Sequence, residues 1–503
     1  MTQSLISQSP NLPISNSPQK TMIQTPEWVR HAVFYQIFPD RFANSTRIAK
    51  PSNLESWDSK PTLTGFKGGD LMGVVERLDY LQDLGVTAIY FNPLFQSTAN
   101  HRYHTHDYFR IDPILGGDDA LRELLTEAHA RDIKVIIDGV FNHASRGFYQ
   151  FSHALENQSS SPYLDWFHIT GFPLNAYGGG KLNYDAWWGL PDLPKLNTAT
   201  PAVREFIFKV AEYWIRFGVD GWRLDVPAEI NDDEFWREFR RRVKAINPDA
   251  YIVGEIWHEA QRWLQGDQFD AVMNYQYTRA LLGFCSNGKL DMSLIDGIGY
   301  APVSVLDAPG FAYSLNVNLG IYDRAINEVQ LNLLDTHDTA RFLSIAKNDV
   351  NTLRLAMLCM FTYPGAPCIY YGDEIGLNGG KDPECRKSFP WDEGEWRQDL
   401  LDYVKRCVAL RKQHVALRTG DFKVVYAVDK TVVYFRQQAD EKLFVALNSG
   451  TQAATINVVT NEVLPDGVSL TTIFGKPAIY QTANGSLTGL TIPKREGIVL
   501  KAQ

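Results

Sequence analysis

Cysteine is scarce in this chain, with five in 503 residues. Cys285, Cys359, Cys368, Cys385 and Cys407 form no Cys-x-x-Cys pair and no ligand-like cluster. An odd count without such spacing argues against a disulfide framework and fits a reducing compartment, the cytoplasm. A cationic surplus is lacking as well: 49 Lys and Arg face 58 Asp and Glu, a net charge of −9, which argues against nucleic acid or any other polyanion as partner. No apolar run reaches the roughly 18 residues of a membrane-spanning helix. The first 25 residues are rich in Ser, Pro, Asn and Gln and have neither the basic start nor the apolar stretch of a signal peptide. No membrane partner is expected, and residues 1–28 read as a disordered leader.

Aromatic residues, by contrast, make up 12% of the chain, with 12 Trp and 23 Tyr. A neutral, hydroxyl-rich ligand such as a sugar would suit them, although large cores use aromatics too. The length suits a (β/α)8 barrel of roughly 250 residues with additions. Eight candidate strands alternate with helical patterns: AVFYQIFPDRF, TAIYFNPLF, KVIIDGVFNH, GVDGWRLDV, AYIVGEIW, DAVMNYQY, VQLNLLDTHD and PCIYYGDEIG. Eight closes a barrel. Between the third and fourth, a Gly-, Pro- and aromatic-rich stretch interrupts the alternation, and near Leu417 the pattern shifts to short alternating runs of an all-β unit. The expected architecture is therefore α/β: a (β/α)8 TIM barrel over residues 29–415, an irregular domain inserted after strand 3 over 144–199, and a C-terminal antiparallel β-sandwich over 416–503.

Strand ends carry the polar clusters. Arg223 and Asp225, two apart on a strand, share a face. Asp138 with Asn142 and His143, Glu255, and His337 with Asp338 end other strands, and in a barrel such ends converge on one mouth. Two carboxylates flanking a glycosidic bond at about 5–5.5 Å support retaining hydrolysis. Arg223 is expected to hold Asp225 ionised for attack, while apolar Ile256 and Trp257 beside Glu255 suit a proton donor.

The runs DGVFNH, GWRLD, GEIW and THD, in that order over some 200 residues, resemble the four sequence regions of the α-amylase family of glycoside hydrolases. QIFPDRF and YYGDEIG extend the resemblance from His31 to the C-terminus. It implies Asp225 as nucleophile, Glu255 as acid/base and Asp338 as the third acid, with Tyr103, His143, Arg223 and His337 around the cleaved sugar. Trp257 is expected to wall the leaving-group side. Arg341 is placed among the substrate contacts, with pairing to an acid as its alternative, and Asp138 and Asn142 are expected to brace the strand ends and Arg223. For Trp187 and Trp188 a sugar platform and a packing pair stay equally open.

LPKLN at the end of the insertion is similar to a signature of the neopullulanase, cyclomaltodextrinase and maltogenic amylase subfamily. Its members handle α-1,4 and α-1,6 linkages in α-glucans and malto-oligosaccharides, and a homodimer is among their assemblies. With only about thirty residues ahead of the barrel, an open cleft suited to debranching long glucans is expected. Small-substrate cyclomaltodextrinase, α-glucosidase or transglycosylase activity is the alternative, and a non-catalytic barrel is a remote one. Relatives bind calcium after the first strand, but ANSTRIAK offers Thr46, Ala49 and Lys50 where acids or amides would be needed. No calcium is expected there, and no cofactor.

Overall fold

Branched and aromatic runs become eight short parallel strands: β1 (Phe34–Ile37), β2 (Ala88–Phe91), β3 (Lys134–Gly139), β4 (Gly221–Leu224), β5 (Tyr251–Gly254), β6 (Ala271–Val272), β7 (Leu331–Leu333) and β8 (Ala366–Tyr370). They are buried along nearly their whole length, as expected of a sheet covered on both faces. The order is β6-β5-β4-β3-β2-β1-β8-β7, and a parallel bridge from Met273 to Leu331 joins the two ends into a barrel. All eight expected strands are present.

The computed structural model describes residues 23–503. The leader expected over 1–28 lies, for residues 1–22, outside the described residues. Its last six residues are a correction: Thr25 Oγ1 donates to Ala325 O at 3.2 Å and Trp28 Nε1 to Asp249 O at 2.8 Å, so this stretch is seated on the barrel.

The helix Pro201–Phe217 delivers β4. Val203, Ile207, Val210 and Trp214 are buried along it, and Gly218 at φ 123° ends it in a conformation that suits glycine. Thr200 does not cap this helix with its side chain; its hydroxyl donates to Asp165 O of the insertion at 2.6 Å. Gly221 opens β4 because a Cβ there would lie 2.2 Å from Tyr251 O of the next strand. The register then fixes the site. Arg223 lies opposite Asp138 on one side and Val253 on the other. The ladder continues past the strand ends through Asp225 N to Gly139 O (3.1 Å) and Glu255 N to Leu224 O (2.9 Å), so both acids emerge at one rim.

The stretch after β3 is ordered with little regular structure: the helix Tyr149–Asn157 and isolated bridges such as His143 to Lys195 and Ala186 to Pro194. The C-terminal part is antiparallel: β9 (Asp421–Val428), β10 (Thr431–Gln438), β11 (Glu441–Asn448), β12 (Ala454–Val459), β13 (Ser469–Phe474), β14 (Ile479–Ala483), β15 (Ser486–Ile492) and β16 (Glu496–Ala502). Their order is β9-β10-β11-β16-β13-β14-β15-β12, around a core that includes Phe435, Phe444, Leu470 and Leu487. Two buried guanidiniums tie this sheet to the barrel through carbonyls. Arg411 donates to Gly365 O and Leu417 O, and Arg436 to Leu417 O, Gly420 O and, across to the barrel, Thr362 O. Burial pushes Arg411 down to about 9 and Arg436 down to about 10.

Candidate active site

The Arg223 guanidinium is the hub. Nη1 lies 2.9 Å from Asp138 Oδ1 and 3.1 Å from Asp225 Oδ1, while Nη2 lies 3.0 Å from Glu255 Oε2. Arginine suits this position because its planar fork presents several donors at fixed angles. Glu255 is further oriented by Val226 N–H on Oε2 and by Trp257 Nε1–H on Oε1, each at 3.1 Å. Trp257 in turn stacks on Tyr275, with centroids 3.6 Å apart. Asp225 and Glu255 are buried at the rim, with only 8% and 6% of their surface exposed.

A second chain of bonds reaches Asp338. Tyr103 donates its hydroxyl to Asp138 Oδ2 at 2.9 Å and lies 2.6 Å from His337 Nε2, on which its ring stacks. Gln36 and Asn92 both place amide nitrogens 3.0 Å from His337 Nδ1. With Nδ1 accepting, the proton sits on Nε2, within 3.1 Å of Asp338 Oδ2. Burial, reinforced by Arg386 and Arg223, pushes His337 well below its usual range, so it donates as a neutral ring.

Four carboxylates share this mouth. Burial pushes Asp138 up to about 6, against Arg223. It also pushes Asp225 well above the usual carboxylate range, and neighbouring Glu255, Asp138 and Asp338 add to the rise. Burial therefore works against the cation expected to hold Asp225 ionised, because the Arg223 guanidinium is shared among three acids. Asp338, whose side chain is 32% exposed to the cleft, is pushed up to about 7 by desolvation and the Glu255 charge.

A carboxyl whose folded pKa lies above its unfolded value of about 3.9 holds its proton more tightly when folded. Its stabilising contribution is present below about pH 4 and is lost as pH rises towards 7. Asp338→Asn is therefore expected to stabilise the protein at pH 8 by on the order of 1 kcal/mol after screening, about 1–2 °C in Tm, and to change little at pH 4. Thermal melts of both proteins at the two pH values check this, and an equal gain at both would contradict it.

Tyr103, Arg223, Trp257 and His337 thus join the three acids in one connected site. Asp138 pairs with Arg223 from behind. His143 stands at the same mouth, its Nδ1 3.2 Å from Asn142 Nδ2 and its buried Nε2 without a protein partner. Burial pushes His143 down to about 3, and with Nδ1 accepting from the Asn142 amide the neutral ring carries its proton on Nε2, free to donate to a ligand hydroxyl. Arg341 is a correction. It is fully buried, donates to Tyr371 O at 2.6 Å, pairs with Asp373 at 3.1 Å and packs its guanidinium on Tyr370, with no surface left open to a ligand. The arginine that does reach the third acid is Arg386, with Nε on His337 O (2.8 Å) and Nη2 3.3 Å from Asp338 Oδ1. Sequence reasoning missed it because it follows β8 in a loop with no periodic pattern.

After β1, Asp70 accepts from Ser45 N, Ser45 Oγ and Gly73 N, and Lys50 Nζ lies 2.6 Å from its Oδ2. Lys50 also donates to Ile114 O at 3.3 Å. A carboxylate spent on N–H and O–H donors and neutralised by an ammonium does not fit a calcium ion, which takes six to eight oxygens. Lys50→Met, which leaves the buried Asp70 charge unpaired, is expected to cost about 2–4 kcal/mol, and EDTA to leave the wild-type Tm unchanged. Melting curves with and without chelator test both; a chelator-induced drop would overturn the cation assignment.

The chain matches the family described as "Alpha amylase, catalytic domain" over residues 36–441 and "Alpha-amylase C-terminal domain" over residues 420–500. It is 47% identical to a cyclomaltodextrinase of a Bacillus species, over 87% of this chain and 76% of that one. It is 43% identical to neopullulanase 2 of Thermoactinomyces vulgaris, over 86% and 72%. The solved debranching enzyme from Nostoc punctiforme is 47% identical with a TM-score of 0.87, covering 95% of this chain and 100% of that one. With its acids at the ends of β4, β5 and β7 and these matches along nearly its whole length, the chain belongs to the α-amylase family of glycoside hydrolases.

Proposed function

We propose that the enzyme cleaves α-1,6 branch linkages, together with α-1,4 linkages, in glycogen- or amylopectin-type glucans, pullulan and malto-oligosaccharides, by a retaining double displacement. The observation that carries this reading is the single guanidinium touching both Asp225 and Glu255. Such bridging suits two carboxylates at the short separation that retention requires.

In the first step a carboxylate oxygen of Asp225 bonds to the anomeric carbon as the glycosidic C–O bond breaks, and the proton of Glu255 goes to the departing oxygen. In the second, Glu255 takes a proton from water, whose oxygen displaces Asp225 and restores both groups. Asp338, positioned by His337 and Arg386, receives hydroxyls of the sugar and supports the oxocarbenium-like transition state. Tyr103 and His143 line the same sugar. Debranching is favoured because the similarity extends over the whole of the solved debranching enzyme's chain. The likeness to a cyclomaltodextrinase supports small-ring hydrolysis as a second reading.

Chromatography of products from a branched glucan, with kcat/KM compared against β-cyclodextrin, tests the choice. Debranching predicts linear chains released from the branched substrate, and clearly higher kcat/KM on the cyclodextrin would reject it. We place the enzyme in the cytoplasm, since its five cysteines are free and buried. Among the described residues no helix is long and apolar enough to cross a membrane.

A further inference from the structure

The His143 ring is the inner end of a stack that runs out of the site to the surface. Trp187 lies parallel to it, with centroids 5.2 Å apart and planes 18° apart, and Trp188 lies parallel to Trp187 at 4.4 Å and 10°. The outermost ring is 81% exposed, more than any other large hydrophobic side chain among the described residues. One face is therefore covered by Trp187 while the other meets solvent. The backbone beneath it is unusual: Trp188 sits at φ 51°, ψ 20°, a left-handed conformation that costs a bulky L-residue about 1–2 kcal/mol. Gly189 next to it, also at positive φ, adopts the same region without strain. An indole that is both strained and exposed gains little from burial, so packing does not account for it, and such outliers gather at ligand clamps. The neighbouring Ala186–Pro194 bridge and the bond from Trp187 N to Leu193 O (2.9 Å) hold the turn in place, so the ring is presented on a fixed support.

We propose that Trp188 is an outer sugar platform: its open face takes the apolar face of a glucose residue lying beyond the sugar that contacts His143, and so favours long α-glucan chains over short ones. This rests on the α-glucan reading above. Ring stacking is the interaction this geometry offers, since the indole presents a flat apolar surface held parallel to the rings leading into the site.

Trp188→Gly removes the ring and relieves the backbone together, and Trp188→Phe keeps a smaller platform. The ratio of kcat/KM for maltohexaose to that for maltotriose is expected to fall about tenfold in the glycine variant and to recover in large part in the phenylalanine variant. Calorimetric binding of maltohexaose to Glu255→Gln protein, with and without Trp188→Gly, gives a readout independent of turnover, and about tenfold weaker binding is expected. Because glycine is unstrained at this φ, the variant should melt no lower than its parent. A ratio and an affinity both within twofold of the parent overturn the platform. If the unaltered enzyme hydrolyses no α-glucan, the α-glucan reading fails instead, and the platform is then judged by the binding measurement alone.

Discussion

Asp225→Asn is expected to lower kcat on every α-glucan by on the order of 10⁴–10⁶-fold, the range seen when a covalent nucleophile is removed, while the protein stays folded. The amide keeps the shape and can still meet Arg223, but it cannot form the glycosyl ester. Burial and three neighbouring acids already push the Asp225 carboxyl upwards, so a neutral isostere removes a cost at pH 7. The variant should therefore melt at or above the wild-type temperature. Steady-state rates with thermal melts on the same preparation separate this outcome from misfolding: turnover within tenfold of wild type would remove Asp225 from the chemistry. A gain in stability with loss of turnover is the signature of an active site held against its own electrostatic preference.

Arg223→Met is expected to damage both function and stability. It leaves Asp138 without its cation in a fully buried position and removes the common anchor of Asp225 and Glu255. Removing one partner of a buried pair costs about 3–5 kcal/mol, and with both acids free to drift kcat should fall by about 10³-fold. Arg223→Lys should rescue little, since one ammonium cannot span three carboxylates as a guanidinium does. Urea unfolding at pH 7 and kcat on maltohexaose measure the two effects. A lysine variant with near wild-type kcat would show that charge alone, and not the bridging geometry, is what the site needs.

The barrel was readable from local pattern because each of its strands is buried on both faces and flanked by helices with one apolar stripe. Val203, Ile207, Val210 and Trp214 announce the helix before β4, and GVDGWRLDV announces the strand that follows. Placement of Arg223 and Asp225 on one face needed only the two-residue repeat of a strand. Partners of long side chains were not readable in the same way. Arg341 stands three residues from Asp338 yet turns to Asp373, whereas Arg386, 48 residues on, makes the contact with Asp338. Gln36, on β1, and Asn92, just after β2, which set the tautomer of His337, lie far away in sequence. Thr200 has the composition of a cap but spends its hydroxyl on the insertion, because Asp165 O is within reach.

The sequence alone determined the alternating architecture, the strand ends that carry acids, and the placing of Thr46, Ala49 and Lys50 where calcium ligands would be needed after the first strand, since all three depend on residue type and short-range spacing. The tertiary structure decided how one guanidinium is divided among three carboxylates, which arginine stands by the third acid, that an ammonium balances Asp70, and that Trp188 lies strained and open at the end of a ring stack. Those outcomes depend on burial, which sets the cost of each charge, and on distances between groups that only the closed barrel brings together.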